Sequence, residues 1–297
     1  MLIRIRPGWQ MPERLATPES VYLNRRAVLG AMALPGLVVA ANRNPEFTLD
    51  RPITPEWAAT SFNNYYEFST DKQAVRKLAQ NFKPRPWTLE VKGHCAKPRT
   101  WGIEELEREM PVEERLYRHR CVEAWAMAVP WLGFPLAELL RRAEPTAKAR
   151  FVRFVSVKRP EEMPGMQFSG NYPWPYYEGL RLDEAMNPLA FLATGLYGKV
   201  LPNQNGAPLR AVLPWKYGFK SAKAIVSIEL VEKRPDTFWN TAVPREYGFH
   251  ANVDPAKPHP RWSQAVEQLL PNMERVATQA YNGYGKWVAA LYNGSEI

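Results

Sequence analysis

The chain has 297 residues, 45% of them apolar, which is enough for a large core in one or two domains and excludes a disordered protein. Its two cysteines, Cys95 and Cys121, exclude a dense disulfide scaffold and any four-cysteine zinc or iron–sulfur site, and no CxxCH string offers haem attachment. The formal charge of +9 is spread along the chain with no basic run, which argues against nucleic acid and for a field around an anionic ligand or partner.

Residues 1–26 carry five arginines against Glu13 and Glu19, and the fifteen residues of 27–41 (AVLGAMALPGLVVAA) have no charge. A spanning helix needs about 20 apolar residues, so this stretch fits the core of an export signal better. Arg25-Arg26 ahead of Ala27-Val28-Leu29 is a twin-arginine pair, and Val39-Ala40-Ala41 supplies small residues for cleavage. A buried helix is the alternative, but Pro35 and Gly36 would break it. The expectation is a twin-arginine signal peptide over 1–41, a mature domain over 42–297, and delivery of the folded chain by the twin-arginine translocase to the periplasm.

The mature chain carries most of the 28 prolines, many Trp and Tyr, and so reads as β-containing with long ordered loops. Asn42 to Pro55 is an extended arm. Thr60 to Phe68 (TSFNNYYEF) gathers amides, hydroxyls and a carboxylate among rings, a set able to read a polar heterocycle or to satisfy its own turn. Thr70-Asp71 predicts the cap of a helix through Asn81, with Val75, Leu78 and Phe82 on one face. Trp87 to Val91 alternates as a strand, Gly93-His94-Cys95 turns out of it, and Gly102 to Glu109 reads as a short helix.

Leu116 to Cys121 is a strand that delivers Cys121 to its far end, beside Arg118 and Arg120. Positive neighbours favour a thiolate, which makes Cys121 a candidate nucleophile or soft-metal ligand, with a buried structural cysteine as the alternative. The following segment to Pro135 is too aromatic and proline-rich for an ordinary helix, and Pro135 to Arg142 is a helix.

Phe151 to Val157 is a strand ending near Ser156. Arg159 to Asn187 reads as a long loop around Met163, Met166 and Tyr172-Pro173-Trp174-Pro175-Tyr176-Tyr177, which lines a mouth or packs over a core edge. Leu189 to Tyr197 fits a strand or a short helix. Leu201 to Arg210 is turn chemistry centred on Asn205-Gly206, and Ala211 to Pro214 is a short strand. Arg210, Lys216, Lys220 and Lys223 form a donor-rich set suited to a phosphate or a solvated face. Ala224 to Val231 is a strand, and the tail holds a helix around Trp262 to Leu270. The four histidines, His94, His119, His250 and His259, show no metal-ligand spacing.

RCVEAW with VPW and GFPL, EGLRLDEAM, QNGAP and PWKYGFK are specific strings. With them the mature chain resembles the molybdopterin-dependent catalytic subunits of bacterial periplasmic protein-methionine-sulfoxide reductases, within the sulfite-oxidase superfamily. The resemblance implies a single mixed α+β domain of the sulfite-oxidase type with long cofactor-holding loops, and a molybdenum-molybdopterin cofactor. It implies Cys121 as the protein thiolate on the metal. Asn63, Tyr66, Glu67, Ser156, Asn205 and Arg210 would hold the pterin and its phosphate, with Ser221, Ala222 and Lys223. Ser156 stands where the family pattern carries Thr, which keeps the hydroxyl. Asn64 and Glu123 would lie near the metal and act with Cys121 in catalysis.

The implied reaction is reduction of methionine sulfoxide in periplasmic proteins by oxygen-atom transfer to the metal, restoring an apolar side chain. Electrons would come from a membrane haem-binding, quinol-linked partner. A sulfite oxidase-like enzyme or a small S- or N-oxide reductase on the same scaffold is the alternative, and a cofactor-free binding protein with a Cys95–Cys121 disulfide is a third.

Overall fold

The computed structural model describes residues 42–168 and 172–292, so the expected signal at 1–41 lies outside the described residues. In chain order the strands are β1 Thr88–Gly93, β2 Arg99–Gly102, β3 Glu113–Arg120, β4 Trp125–Pro135, β5 Phe151–Ser156 and β6 Tyr177–Arg181. β7 Phe191–Leu196, β8 Lys199–Val200, β9 Arg210–Val212, β10 Ile225–Val231, β11 Val266–Leu269 and β12 Glu274–Ala277 follow.

They build two mixed sheets, which with the interspersed helices make an α+β fold. One sheet runs β2-β1-β10-β5-β6, with β1 and β10 parallel and the other pairs antiparallel. The other runs β12-β11-β4-β7-β8, with β3 paired to β4 and β9 to β7. β4 is the spine of that sheet. Ten of its eleven residues are buried, which is why it reads as one continuous apolar run instead of an alternating one. The sheets and the helix Leu136–Ala143, which buries Leu136, Leu139, Leu140 and Ala143, share one core.

Several expectations need correcting. The helix expected to Asn81 shrinks to Val75–Leu78 with a 3₁₀ turn over Ala79–Asn81. Ser69 Oγ and Asp71 Oδ1 accept from the amides of Asp71 and Gln73, so the polar residues close local turns instead of capping a longer helix. Val75 and Phe82 are buried as expected, whereas Leu78 is exposed. The helix expected around Trp262 to Leu270 is β11, because Gln268 and Leu269 pair in parallel with Trp125 and Ala126 of β4. That partner lies far upstream, beyond the reach of local periodicity. The loop Arg159 to Asn187 contains the helices Gly165–Phe168 and Leu182–Ala185 and the strand β6, and Leu189 to Tyr197 is strand β7. Met163 and Met166 are core residues, and Phe47 pins the N-terminal arm into the core.

The expected four-cation cradle also divides. Lys216 pairs with Glu184 at 2.6 Å and Lys220 with Glu178 at 2.6 Å, all four side chains fully buried. Buried charges need such partners, so these two lysines serve the interior. Arg210 and Lys223 alone face the cavity described next.

Candidate functional site

β3 and β4 are joined by Cys121–Ala124. Cys121 N–H donates to Trp125 O at 2.9 Å and Ala124 N–H to Cys121 O at 3.1 Å, with Ala124 in the left-handed region at φ 74°. The turn aims the Cys121 side chain into a cavity. Residues two apart on a strand share a face, so His119 lines the same wall.

The segment after the helix Glu56–Ser61 closes over the thiol. Asn64 Nδ2 donates to Cys121 Sγ at 3.1 Å and to Glu123 Oε2 at 3.0 Å, and Lys72 Nζ pairs with the same oxygen at 2.9 Å. Tyr66 OH reaches Glu123 Oε1 at 3.5 Å. Asn63 and Asn205 are tied together: Asn205 Nδ2 donates to Asn63 Oδ1 at 3.1 Å and to Ala59 O at 3.0 Å. Asn63 Nδ2 in turn donates to Thr60 O at 3.2 Å, so part of the expected self-satisfied turn exists alongside the cavity wall.

Opposite, Gly206 takes φ 103°, and a Cβ there would meet Lys223 Cβ and Cγ at 2.9 Å. This lets the Asn205-Gly206 turn pack against Lys223 and Arg210. Arg210 Nη1 donates to Asn205 O at 3.0 Å and its guanidinium sits 4.8 Å from the Trp131 ring centroid. Lys223 Nζ lies 4.8 Å from the Tyr65 ring, within the field of the buried Glu67.

Electrostatics separate the readings of Cys121. Burial pushes the thiol up to about 12, the Glu123 carboxylate adds to this, and the Glu123 N–H, Arg120 and Lys72 only partly oppose it. The expected thiolate from neighbouring arginines therefore does not arise. Arg118 pairs with Asp50, and Arg120 turns to Cys121 O, Gln264 and Glu267. A bare nucleophile is disfavoured here, whereas a metal cation would itself displace the proton. The Glu123 carboxyl is raised by burial, yet the Asn64 donor and Lys72 outweigh this and hold it below its ordinary value. His119 is driven down to about 3 by burial and by the charges on Arg210 and Lys223, so it is neutral. Burial brings Lys223 down to about 8 against the pull of Glu67, and burial raises Glu67 against Lys223.

Asn64 Oδ1, Asn205 Oδ1, Arg210 Nη2, Tyr65 OH and Ser156 Oγ are buried without a hydrogen-bond partner. An orphaned buried polar atom costs about 1–3 kcal/mol, so a cluster of them calls for a polar occupant.

Of the sequence-derived candidates, Cys121, Glu123, Asn64, Asn63, Tyr66, Glu67, Asn205, Arg210 and Lys223 line one cavity. Ser156, Ser221 and Ala222 do not line it, and Ser221 Oγ accepts from Leu213 N–H at 3.2 Å. Sequence reading passed over His119, Gly218, Phe219, Trp239 and Tyr247, which also line it. Only His119 carried a usable signal, its two-residue spacing from Cys121. Both cysteines are free, which removes the disulfide alternative.

Tyr66, Glu123, Trp125, Trp239 and Tyr247 also line a wider, more open mouth, with Phe62, Tyr172, Trp262 and Met273 on its walls. The 172–177 cluster thus does both jobs expected of it: Tyr172 lines the mouth and Tyr176 the cavity, while Trp174 packs on Phe238 at 4.7 Å.

A family model described as the oxidoreductase molybdopterin binding domain matches residues 76–239. The chain is 46% identical, over 98% of its length and 95% of the relative's, to the protein-methionine-sulfoxide reductase catalytic subunit MsrP of Burkholderia mallei (strain ATCC 23344). It is 48% identical, over 98% of both chains, to the protein of the same name from Xanthomonas axonopodis pv. citri (strain 306). Among solved structures it is similar in fold to the sulfane dehydrogenase SoxCD from Paracoccus pantotrophus, with a TM-score of 0.53 at 16% identity. That match covers 73% of this chain and spans 57% of the length of the solved one. The chain therefore belongs to the molybdopterin-binding oxidoreductases, in the family of the protein-methionine-sulfoxide reductase catalytic subunits.

Proposed function

We propose that this chain is the molybdenum-molybdopterin subunit of an enzyme that reduces methionine sulfoxide residues in periplasmic proteins, exported by the twin-arginine pathway and supplied with electrons by a membrane haem-binding, quinol-linked partner. The observation that carries the cofactor assignment is the orphaned polar set around a single buried thiol. Arg210 Nη2 is a spare cationic donor for a phosphate, and Asn205 Oδ1 and Asn64 Oδ1 are spare partners for a heterocycle rich in N–H and O–H groups.

In this reading Cys121 is the metal's protein ligand, and Asn63, Tyr66, Glu67, Asn205, Arg210 and Lys223 hold the pterin from the cavity wall. Ser156, Ser221 and Ala222 contribute from behind the wall. When bound, the cofactor supplies two-electron oxygen-atom transfer. The chain's own part is to orient and to exclude water. Asn64 holds the sulfur and Glu123 in one hydrogen-bonded group, and Tyr66 OH offers a proton donor beside the Glu123 carboxylate. The wide aromatic mouth fits a side chain carried on a polypeptide, and its rings suit the thioether that the reaction would release.

Two cysteines are too few for a four-cysteine iron–sulfur cluster and no CxxCH string offers covalent haem attachment, which supports assigning the electron donor to a second protein.

The test is elemental analysis of protein purified from the periplasmic fraction, followed by turnover of oxidised protein and of sulfite. Stoichiometric molybdenum with reduction of protein-bound methionine sulfoxide is expected. Metal-free protein from a cofactor-competent host, or turnover of sulfite alone, would overturn the assignment.

A further inference from the structure

The Val122–Glu123 peptide is held from both ends. On one side, Val122 O accepts two hydrogen bonds, from Trp262 Nε1 at 2.8 Å and Gln264 Nε2 at 2.8 Å. On the other, Glu123 N–H donates to Cys121 Sγ at 3.4 Å. A trans peptide fixes its C=O and N–H in opposite directions, so holding the oxygen outward aims the N–H inward at the sulfur. Donation to the carbonyl also polarises the amide and strengthens its own donation.

The orientation of the Gln264 amide is not arbitrary. Arg120 Nη2 lies 2.9 Å from Gln264 Oε1, and a guanidinium can only donate, so the amide oxygen must face Arg120 and the Nε2 must face Val122. Arg120 is itself held by Glu267 at 3.4 Å, and Glu267 by Arg51 at 2.8 Å. The Trp262 ring is clamped by stacking on His259 at 3.8 Å with 10° between planes. Both donors thus arrive pre-oriented, from a segment some 140 residues beyond the turn they hold.

We propose that Trp262 and Gln264 are positioning residues for the Cys121 sulfur, acting through the Val122–Glu123 peptide and tuning the reduction potential of the group that the sulfur ligates. This rests on the cofactor assignment above. A hydrogen bond to a ligating sulfur withdraws electron density from it and raises the potential of the centre. Weakening the Glu123 N–H donation therefore lowers the potential.

The test uses the loaded enzyme with Trp262→Phe, which keeps the ring on His259 and deletes the donor, and with Trp262→Phe/Gln264→Leu. Thr278→Val is the control, because Thr278 Oγ1 is another partner of Arg120, at 3.4 Å, and does not touch Val122. Trp262→Phe is expected to shift the midpoint potential to more negative values, and the double variant to shift it further. The paramagnetic resonance spectrum should change in parallel, and kcat should fall about 10-fold. Thr278→Val should leave the potential in place. A fully loaded Trp262→Phe protein with the parent's potential and spectrum overturns the proposal, as does an equal shift in Thr278→Val. Should the double variant fail to fold or load, Trp262→Phe alone decides. Amide hydrogen exchange at Glu123 in metal-free protein checks the peptide clamp independently, and should quicken in both variants. A failure of the cofactor assignment would show instead as absent molybdenum in the parent protein with that exchange pattern intact.

Discussion

The Asn64 side-chain nitrogen sits 3.1 Å from Cys121 Sγ and donates to it, and the same nitrogen is 3.0 Å from Glu123 Oε2. One amide therefore couples the candidate ligand to the carboxylate beside it. Asn64→Leu keeps the size and removes the donor. It should lower kcat by about 10–100-fold, the usual cost of removing a group that orients a ligand. The Glu123 carboxyl, held low by Asn64 and Lys72 against burial, should then titrate at higher pH, as read from its carboxyl band in infrared difference spectra. An unmoved band would refute the coupling.

Arg210 is buried, its guanidinium pulled down to about 10 by that burial, and its Nη2 has no partner. A buried cation is a cost that an anionic ligand offsets. Arg210→Met should therefore abolish most molybdenum loading while the metal-free protein melts within a few degrees of the metal-free parent. Loading at parental levels would remove Arg210 from the phosphate assignment.

Glu184 and Lys216 form an ion pair away from the cavity wall, with Tyr292 OH donating to Glu184 Oε1 at 2.6 Å. Burial would raise the Glu184 carboxyl, but Lys216, His250 and the hydrogen bonds hold it well below its ordinary value of 4.5. Below that value the unfolded chain takes up the proton first, so stability present at neutral pH is lost on acidification, by about 1.4 kcal/mol per pH unit for this one group. Melting curves taken from neutral pH down to about pH 3 should show this slope, flattened in Glu184→Gln. Lys216→Met, which strands a buried carboxylate, should cost about 3–5 kcal/mol at neutral pH.

Gly218 backs directly on His119: a Cβ there would stand 2.7 Å from His119 Cε1 and Nε2. Gly218→Ala should push the imidazole into the cavity and lower cofactor loading. Adding His119→Ala should restore loading, a non-additive outcome expected for two residues in contact. Additive losses, measured as molybdenum per chain, would show that the two positions act independently.

How much of this was legible in the sequence depended on distance along the chain. The strands at Phe151 and Ile225 and the helices at Ile103 and Leu136 follow local patterning and lie where the sequence reading placed them, within a residue or two. The same holds for Cys121 at the end of its strand. The helix expected through Asn81 failed locally, through the turns that Ser69 and Asp71 close, but two other failures required a distant partner. β11 is a strand only because β4 lies alongside it, and Lys216 and Lys220 leave the expected anion cradle only because Glu184 and Glu178 are folded against them. The thiolate expectation failed for another reason: burial of the side chain, and then the Glu123 carboxylate two residues on, raise the thiol by more than Arg120 and Lys72 lower it, while Arg118 is paired with Asp50. Trp239 and Tyr247 reach the cavity through tertiary packing of ordinary aromatic segments, with no spacing to announce them.

The clamp on Val122 sets an order of events. The turn that carries Cys121 is synthesised well before Trp262 and Gln264, and until those two arrive its central peptide has no outward partners. A chain halted before the tail is added would carry the thiol on a turn held by its own backbone bonds and Asn64, with Arg120 lacking Gln264 and Glu267. The seat for the sulfur is thus completed by the last quarter of the polypeptide. Truncation ahead of Trp262 would leave the peptide behind the thiol without either of its side-chain donors.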